Sequence, residues 1–137
     1  MQELTVEKFM TREVSFLSSN ATVRDSLDMF ETSVARHIPV LNEAGKIEGI
    51  LSDRDKRTIE LTLALFQDEK TRNQIYESSV MSIVKKEVIS VFPETSLVEA
   101  AQMIIDLKIG AVPVIEKSKL VGILSYYDII NIFAEMR

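Results

Sequence analysis

The sequence contains no cysteine and a single histidine, His37. Without cysteine there is no disulfide, no thiolate nucleophile and no sulfur-ligated metal. One histidine excludes His-rich metal sites and leaves little room for triad chemistry. No run of about 18 apolar residues occurs, so no transmembrane helix is expected. The first residues, Met1-Gln2-Glu3-Leu4-Thr5-Val6-Glu7-Lys8, lack the basic-then-apolar order of a secretory signal. A cytoplasmic protein that starts naturally at Met1 is the expectation. Positive charge is also in short supply, with 16 Lys and Arg against 21 Asp and Glu and a net charge of −5. That balance argues against a nucleic-acid or anionic-membrane surface, since both need a basic face. A flexible Gly/Ser linker is missing too. The polar stretch Gln67 to Ser79, with Ile75 and Tyr76 as its large apolar residues, reads as continued helix that then connects two packed halves.

The sequence does have repetition. Gly49-Ile50-Leu51-Ser52-Asp53-Arg54-Asp55 returns as Gly122-Ile123-Leu124-Ser125-Tyr126-Tyr127-Asp128. Upstream, His37-Ile38-Pro39-Val40-Leu41 returns as Ala111-Val112-Pro113-Val114-Ile115. A repeat of this length fixes the architecture before any local reading does. At 137 residues, 46% of them hydrophobic, the chain holds either one domain or two small, intimately packed halves. Residues 1–70 are assigned to the first repeat with its lead-in and connecting helix, and 71–137 to the second.

Val6 to Met10 has a weakly helical look, and Val14 to Leu17 reads as a short strand. Thr22-Val23-Arg24-Asp25 is a helix start signal. Val23, Leu27, Phe30 and Val34 then form one apolar helix face, which is expected to end near Ala35 or Arg36. His37 to Leu41 and Ile47 to Leu51 pair as a hairpin around Asn42-Glu43-Ala44-Gly45-Lys46. Pro39 is expected at a sheet edge or strand start because it cannot donate to a ladder. Ser52 opens a helix with Ile59, Leu63 and Phe66 on one face. In the second half, Val88 to Val91 matches the first strand, and Ser96-Leu97-Val98-Glu99 reads as a full capping box. A helix face follows at Leu97, Ala100, Ala101, Ile104 and Ile105. Ile109 to Ile115 pairs with Lys119 to Leu124, and a last helix from Ser125 carries Ile129, Ile130, Ile132, Phe133 and Met136. Lys85-Lys86-Glu87 reads as a solvated turn, and the methionines at 29, 103 and 136 as core fillers. The fold class is α/β (α+β), with two β-α-β-β-α repeats. Neither half, at roughly 55–60 residues, buries much core alone, so pairing about a pseudo-twofold axis is expected.

Each copy of the repeated stretch places a strand end against a helix start at Ser52 or Ser125. The first helical turn leaves N–H groups unpartnered and favours negative charge, so this corner suits a phosphate or hydroxyl. An ionised Asp accepts only, and can take two hydrogen bonds from the vicinal hydroxyls of a ribose. Ser-x-x-Asp is equally a plain capping box, and a duplicated fold duplicates its caps. Gly49 and Gly122 sit inside strands, where glycine marks close approach of a backbone or a ligand.

The β-α-β-β-α order taken twice, the strand-Pro-Val element and the Gly-x-x-Ser-x-x-Asp element together resemble a tandem pair of CBS domains, also called a Bateman module, over essentially the whole chain. The resemblance implies a regulatory module, not an enzyme, that binds adenosine-type ligands (AMP, ADP or ATP, S-adenosylmethionine, NAD) in clefts between the halves. It needs no other cofactor and forms homodimers. Ser52, Asp53, Arg54 and Asp55 then serve one site, and Ser125, Tyr127 and Asp128 the other. The Ser residues contact ribose or phosphate, and Asp55 and Asp128 hold ribose hydroxyls. His37, Ile38 and Pro39, and Ala111, Val112 and Pro113, lie around the adenine. Val14, Ser15 and Phe16, and Val88, Ile89 and Ser90, complete the pockets. Asp53-Arg54 against Tyr126-Tyr127 makes the sites unequal, with Arg54 suited to a phosphate and the second site either taking a neutral adenosine derivative against the tyrosines or staying empty. His37 by itself reads as a partly buried hydrogen-bonding residue. Two other readings stand beside this one. One is a dimerisation or protein-interaction module whose clefts no longer bind ligand. The other is an enzyme using the carboxylate pair Asp53 and Asp55. Any effector protein would be a separate, unnamed partner.

Overall fold

The computed structural model describes residues 4–84 and 87–136. Lys85 and Lys86, part of the expected solvated turn, lie outside the described residues. The chain divides into two compact units, Ser15–Val88 and a second formed by Met1–Val14 with Ile89–Arg137. This division does not follow the 1–70 and 71–137 assignment, because the lead-in packs with the second repeat and residues 71–88 stay with the first.

The unit Ser15–Val88 is built on a three-stranded sheet in the order β1 (Leu17–Ser18), β2 (His37–Leu41), β3 (Ile47–Ser52). β1 is shorter than expected and begins at Leu17 rather than Val14. β2 and β3 pair antiparallel, with Pro39 opposite Ile50 and Val40 opposite Gly49, and β1 runs parallel to β2 at Val40 and Leu41. Pro39 thus lies in mid-strand, not at a sheet edge. It is tolerated because its nitrogen faces the β1 side of β2 before that ladder begins. Leu17, Phe30, Ile38, Val40, Leu51, Val80 and Val84 form its main core.

Helix α1 (Val23–Thr32) is closed by a reciprocal box between Thr22 and Asp25. It ends earlier than its apolar period suggests, because Ser33 turns extended, and Val34 is fully exposed rather than part of the buried face. Helix α2 (Asp53–Leu65) buries Ile59 and Leu63, but Phe66 is extended and 40% exposed. The expected continuous helix therefore breaks, and α3 (Glu69–Tyr76) starts afresh on an Asp68 cap. Arg24 joins α3 to α1, with its guanidinium 4.4 Å from the centre of the Tyr76 ring and 3.1 Å from Glu77.

The second unit repeats the plan with α4 (Leu97–Leu107), β4 (Ala111–Glu116), β5 (Lys119–Ser125) and α5 (Tyr126–Glu135). β4 and β5 form an antiparallel hairpin around Lys117 and Ser118, both at positive φ as a two-residue turn requires. Val88 to Val91 does not form a strand. Val91 alone makes a parallel bridge to Val114. Ser96 caps α4 by accepting from the Glu99 amide at 3.4 Å, while no return bond from Glu99 is found among the described residues. Ile105 is 67% exposed, and Met103 packs on the core in its place. In α5, Ile129 and Ile132 pack on the core, while Ile130, Phe133 and Met136 are exposed.

The lead-in completes this unit. Its 3-10 turn, Val6–Lys8, buries Val6, whose amide donates to the Thr95 carbonyl at 2.9 Å. Thr11 then pairs with Ile123 on the free side of β5, at 2.8 and 2.9 Å in the two directions. The first repeat has the same arrangement 74 positions on. A 3-10 turn at Val80–Ser82 buries Val80, whose amide donates to Ala21 at 2.8 Å.

Gly122 is explained by the lead-in. A Cβ there would lie 2.6 Å from Met10 Sδ and 3.0 Å from the Thr11 carbonyl oxygen. The close approach is to the Met10 side chain first and to the Thr11 backbone carbonyl beside it. Gly122→Ala is expected to destabilise the protein by about 1–3 kcal/mol, despite alanine's better strand entropy. Thermal melting of the variant checks this, and an unchanged or raised midpoint would show that the lead-in does not press on β5.

Candidate functional site

Each hairpin delivers its chain directly into a helix. At the end of β5 the Ser125 amide donates to Asp128 Oδ2 at 2.8 Å, and the Ser125 hydroxyl lies 3.2 Å from the same oxygen. In return the Asp128 amide donates to Ser125 Oγ at 3.3 Å. At the end of β3 the Ser52 amide donates to Asp55 Oδ2 at 2.8 Å, with the Ser52 hydroxyl at 3.3 Å. Both Ser-x-x-Asp corners are therefore real capping boxes. Capping leaves capacity, since a carboxylate offers about four lone-pair sites.

The two corners differ at the second carboxylate oxygen. Asp128 Oδ1 accepts from the Thr11 hydroxyl at 3.1 Å. Asp55 Oδ1 meets no hydrogen-bond donor among the described residues. Arg54 is exposed on the first turn of α2 and makes no ion pair among the described residues. Tyr126 and Tyr127 occupy the matching turn of α5 with ring centres 4.8 Å apart and stand 38% and 40% exposed.

The remaining expected residues fall into three settings. Ile38 and Val112 are wholly buried in the cores, and Pro39, Pro113 and Ala111 are buried as well. Phe16 and Ile89 are large exposed apolar residues. Val14, Ser15, Val88 and Ser90 are half-buried. Asp53 begins α2, and its amide donates to the Arg36 carbonyl at 3.1 Å. By the contact division, Val14, Ile89 and Ser90 belong to the unit of Asp128, while Ser15, Phe16 and Val88 belong to that of Asp55.

Thr11 was not among the expected residues. The signal that finds it is a third element of the repeat. Val6, Met10 and Glu13-Val14 return 74 positions later as Val80, Val84 and Glu87-Val88. That places the lead-in inside the repeat and close to the corner it serves.

His37 begins β2 and is half-buried. Burial holds its pKa below the ordinary 6.5, with Arg36 adding to the effect and the carboxylates of Asp53 and Asp55 opposing it. Among the described residues there is no group of three or more His, Asp or Glu side chains that could hold a metal ion, and no helix is long and apolar enough to cross a membrane.

The CBS domain model matches residues 6–55 and 80–135. The CBS domain-containing protein YhcV of Bacillus subtilis is 28% identical over 125 residues, which cover 91% of this chain and 82% of YhcV. A homoserine O-acetyltransferase of Methanohalophilus mahii is 33% identical over 123 residues, but the match spans only 23% of that enzyme against 89% of this chain. Among solved structures, CBSX2 in complex with AMP superimposes with a TM-score of 0.79 at 23% identity, covering 97% of this chain and 98% of that one. The CBS domain pair of MJ0100 in complex with 5′-methylthioadenosine and S-adenosyl-L-methionine does so with a TM-score of 0.82 at 18% identity, covering 99% and 100%.

The lowered pKa of His37 sets a pH dependence. Its neutral form is favoured in the folded chain, so the stability it confers is full above the unfolded value of 6.5 and is lost as pH falls through the lowered folded value. Thermal midpoints measured from pH 7.5 down to about 5.5 are expected to fall for the wild type and to fall less for His37→Gln. Equal slopes would remove His37 as the cause.

Proposed function

Since the chain belongs to the CBS-domain family and carries two copies of the domain, we propose that it is a regulatory module that binds an adenosine-containing ligand and is not itself an enzyme. The observation that carries this reading is the pair of Ser-x-x-Asp corners, each with its carboxylate fixed by a backbone amide and with acceptor capacity to spare. A ribose offers the vicinal hydroxyls such a carboxylate takes up. The Ser52 and Ser125 hydroxyls, at helix starts, face ribose or phosphate oxygens. The AMP, 5′-methylthioadenosine and S-adenosylmethionine held by proteins of the same fold lend support.

In this reading the corner at Asp55 takes a phosphorylated ligand, because Arg54 stands beside it as an exposed cation without an ion pair among the described residues. The corner at Asp128 takes a neutral adenosine derivative, with Tyr126 and Tyr127 supplying aromatic surface. His37, Ile38 and Pro39, and Ala111, Val112 and Pro113, form the buried wall behind the adenine. Exposed Phe16 and Ile89, with Val14, Ser15, Val88 and Ser90, offer further contacts. Regulation follows because a ligand that prefers one conformation shifts the population toward it. The module works in the cytoplasm, with no other cofactor and with no nucleic-acid or membrane partner. It passes its signal to an effector protein. A homodimer is the proposed assembly, and the exposed Leu61 and Leu65 on α2 and Ile130, Phe133 and Met136 on α5 favour it. Those same residues support the second reading, in which association alone is the function.

A ligand that binds only the folded state stabilises it by about 2.7 kcal/mol at 100 times its dissociation constant. A thermal-shift panel of AMP, ADP, ATP, adenosine, S-adenosylmethionine and NAD is expected to show such a shift. Asp55→Ala and Asp128→Ala should each remove one site, and Arg54→Ala should weaken AMP at the Asp55 corner. If no ligand shifts the midpoint, the association reading stands instead. If the double Asp variant binds fully, the carboxylates are caps only.

A further inference from the structure

Thr11 belongs to the lead-in, more than a hundred residues from Asp128 in sequence, yet its side chain reaches that carboxylate. Its backbone is fixed on β5 by paired hydrogen bonds to Ile123, and Gly122 leaves the room for it to lie there. From that fixed edge the hydroxyl donates to Asp128 Oδ1 at 3.1 Å. The other oxygen, Oδ2, is held from the opposite side by the Ser125 amide at 2.8 Å. A carboxylate gripped at both oxygens has a defined plane. One lone pair then remains while the Ser125 hydroxyl donates to Oδ2 at 3.2 Å, and two remain once that hydroxyl turns to a ligand.

We infer that Thr11 is a positioning residue for ligand recognition at the second corner, orienting Asp128 so that its spare lone pairs meet the two hydroxyls of a vicinal diol. The inference rests on the adenosine-ligand reading given above. It goes further by assigning selectivity for an intact 2′,3′-diol to a lead-in residue outside the Ser-x-x-Asp motif.

The test uses adenosine and 2′-deoxyadenosine as probes on the whole chain, by calorimetric titration. An Asp55→Ala background isolates the second corner. With Thr11 intact, adenosine is expected to bind more tightly than its deoxy analogue. Thr11→Val keeps the β-branched shape and removes the hydroxyl. It should weaken adenosine roughly tenfold to a hundredfold, the weight of one hydrogen bond to a charged group, and leave 2′-deoxyadenosine nearly unchanged. Thr11→Ser restores the hydroxyl and should restore the discrimination, and a cooperative melt of each variant confirms that it folds. If Thr11→Val weakens both nucleosides equally, or neither, or if Thr11→Ser fails to rescue, the positioning role is overturned while nucleoside binding stands. If the intact chain binds neither nucleoside, the adenosine reading falls and this inference falls with it.

Discussion

The structure depends on a backbone requirement. A two-stranded hairpin has two open edges and cannot bury a core alone. Here β4–β5 gains a neighbour on each side from single residues, Val91 beside β4 and Thr11 beside β5. The second of these comes from the far end of the sequence. Once Thr11 is paired with Ile123, other features follow. Gly122 must lack a side chain, Val6 and Met10 are drawn into the core, and a threonine hydroxyl arrives at the carboxylate that closes the next helix. The backbone of Thr11 serves the fold and its hydroxyl reaches the corner, so one residue joins the two.

In the proposed function one set of atoms at each corner serves two purposes. The Asp carboxylate reaches back to the Ser amide because the first helical turn has donors to satisfy. That same bond freezes the carboxylate where a ligand would meet it. Capping and binding at Ser-x-x-Asp are compatible, because the first provides the rigidity the second requires.

Much of this was legible from residue order alone. The strand His37–Leu41, the hairpins and the helix starts after Ser52 and Ser125 stand where the repeat puts them, because turn chemistry, capping pairs and alternation are local signals. Helix ends were harder. Val34, Phe66 and Ile105 all continue an apolar period, yet all are exposed. Periodicity reports which face a residue would take if the helix continued, and it is silent on whether packing remains to reward continuation. The break after Leu65 has the same origin, since Asp68 competes for the chain by offering a new cap. Pro39 in mid-strand shows a related limit. Its missing donor matters only on the side where a neighbour lies, and sequence does not reveal where a parallel ladder begins. Thr11 escaped notice because the signal lay in a short, weakly patterned lead-in, and its partner is a hydroxyl contact across most of the chain.

The route of the lead-in also orders events in time. Every residue of the unit Ser15–Val88 has been made once the chain has passed Val88, whereas the other unit lacks β5 until Ser125 has been added. A chain emerging from the ribosome therefore carries the lead-in without β5 until the second hairpin has been made. Val6 and Met10, buried at the end, wait in water until then. The lead-in waits for a partner more than a hundred residues further on, and closing that long loop carries an entropic cost that local hairpins do not bear.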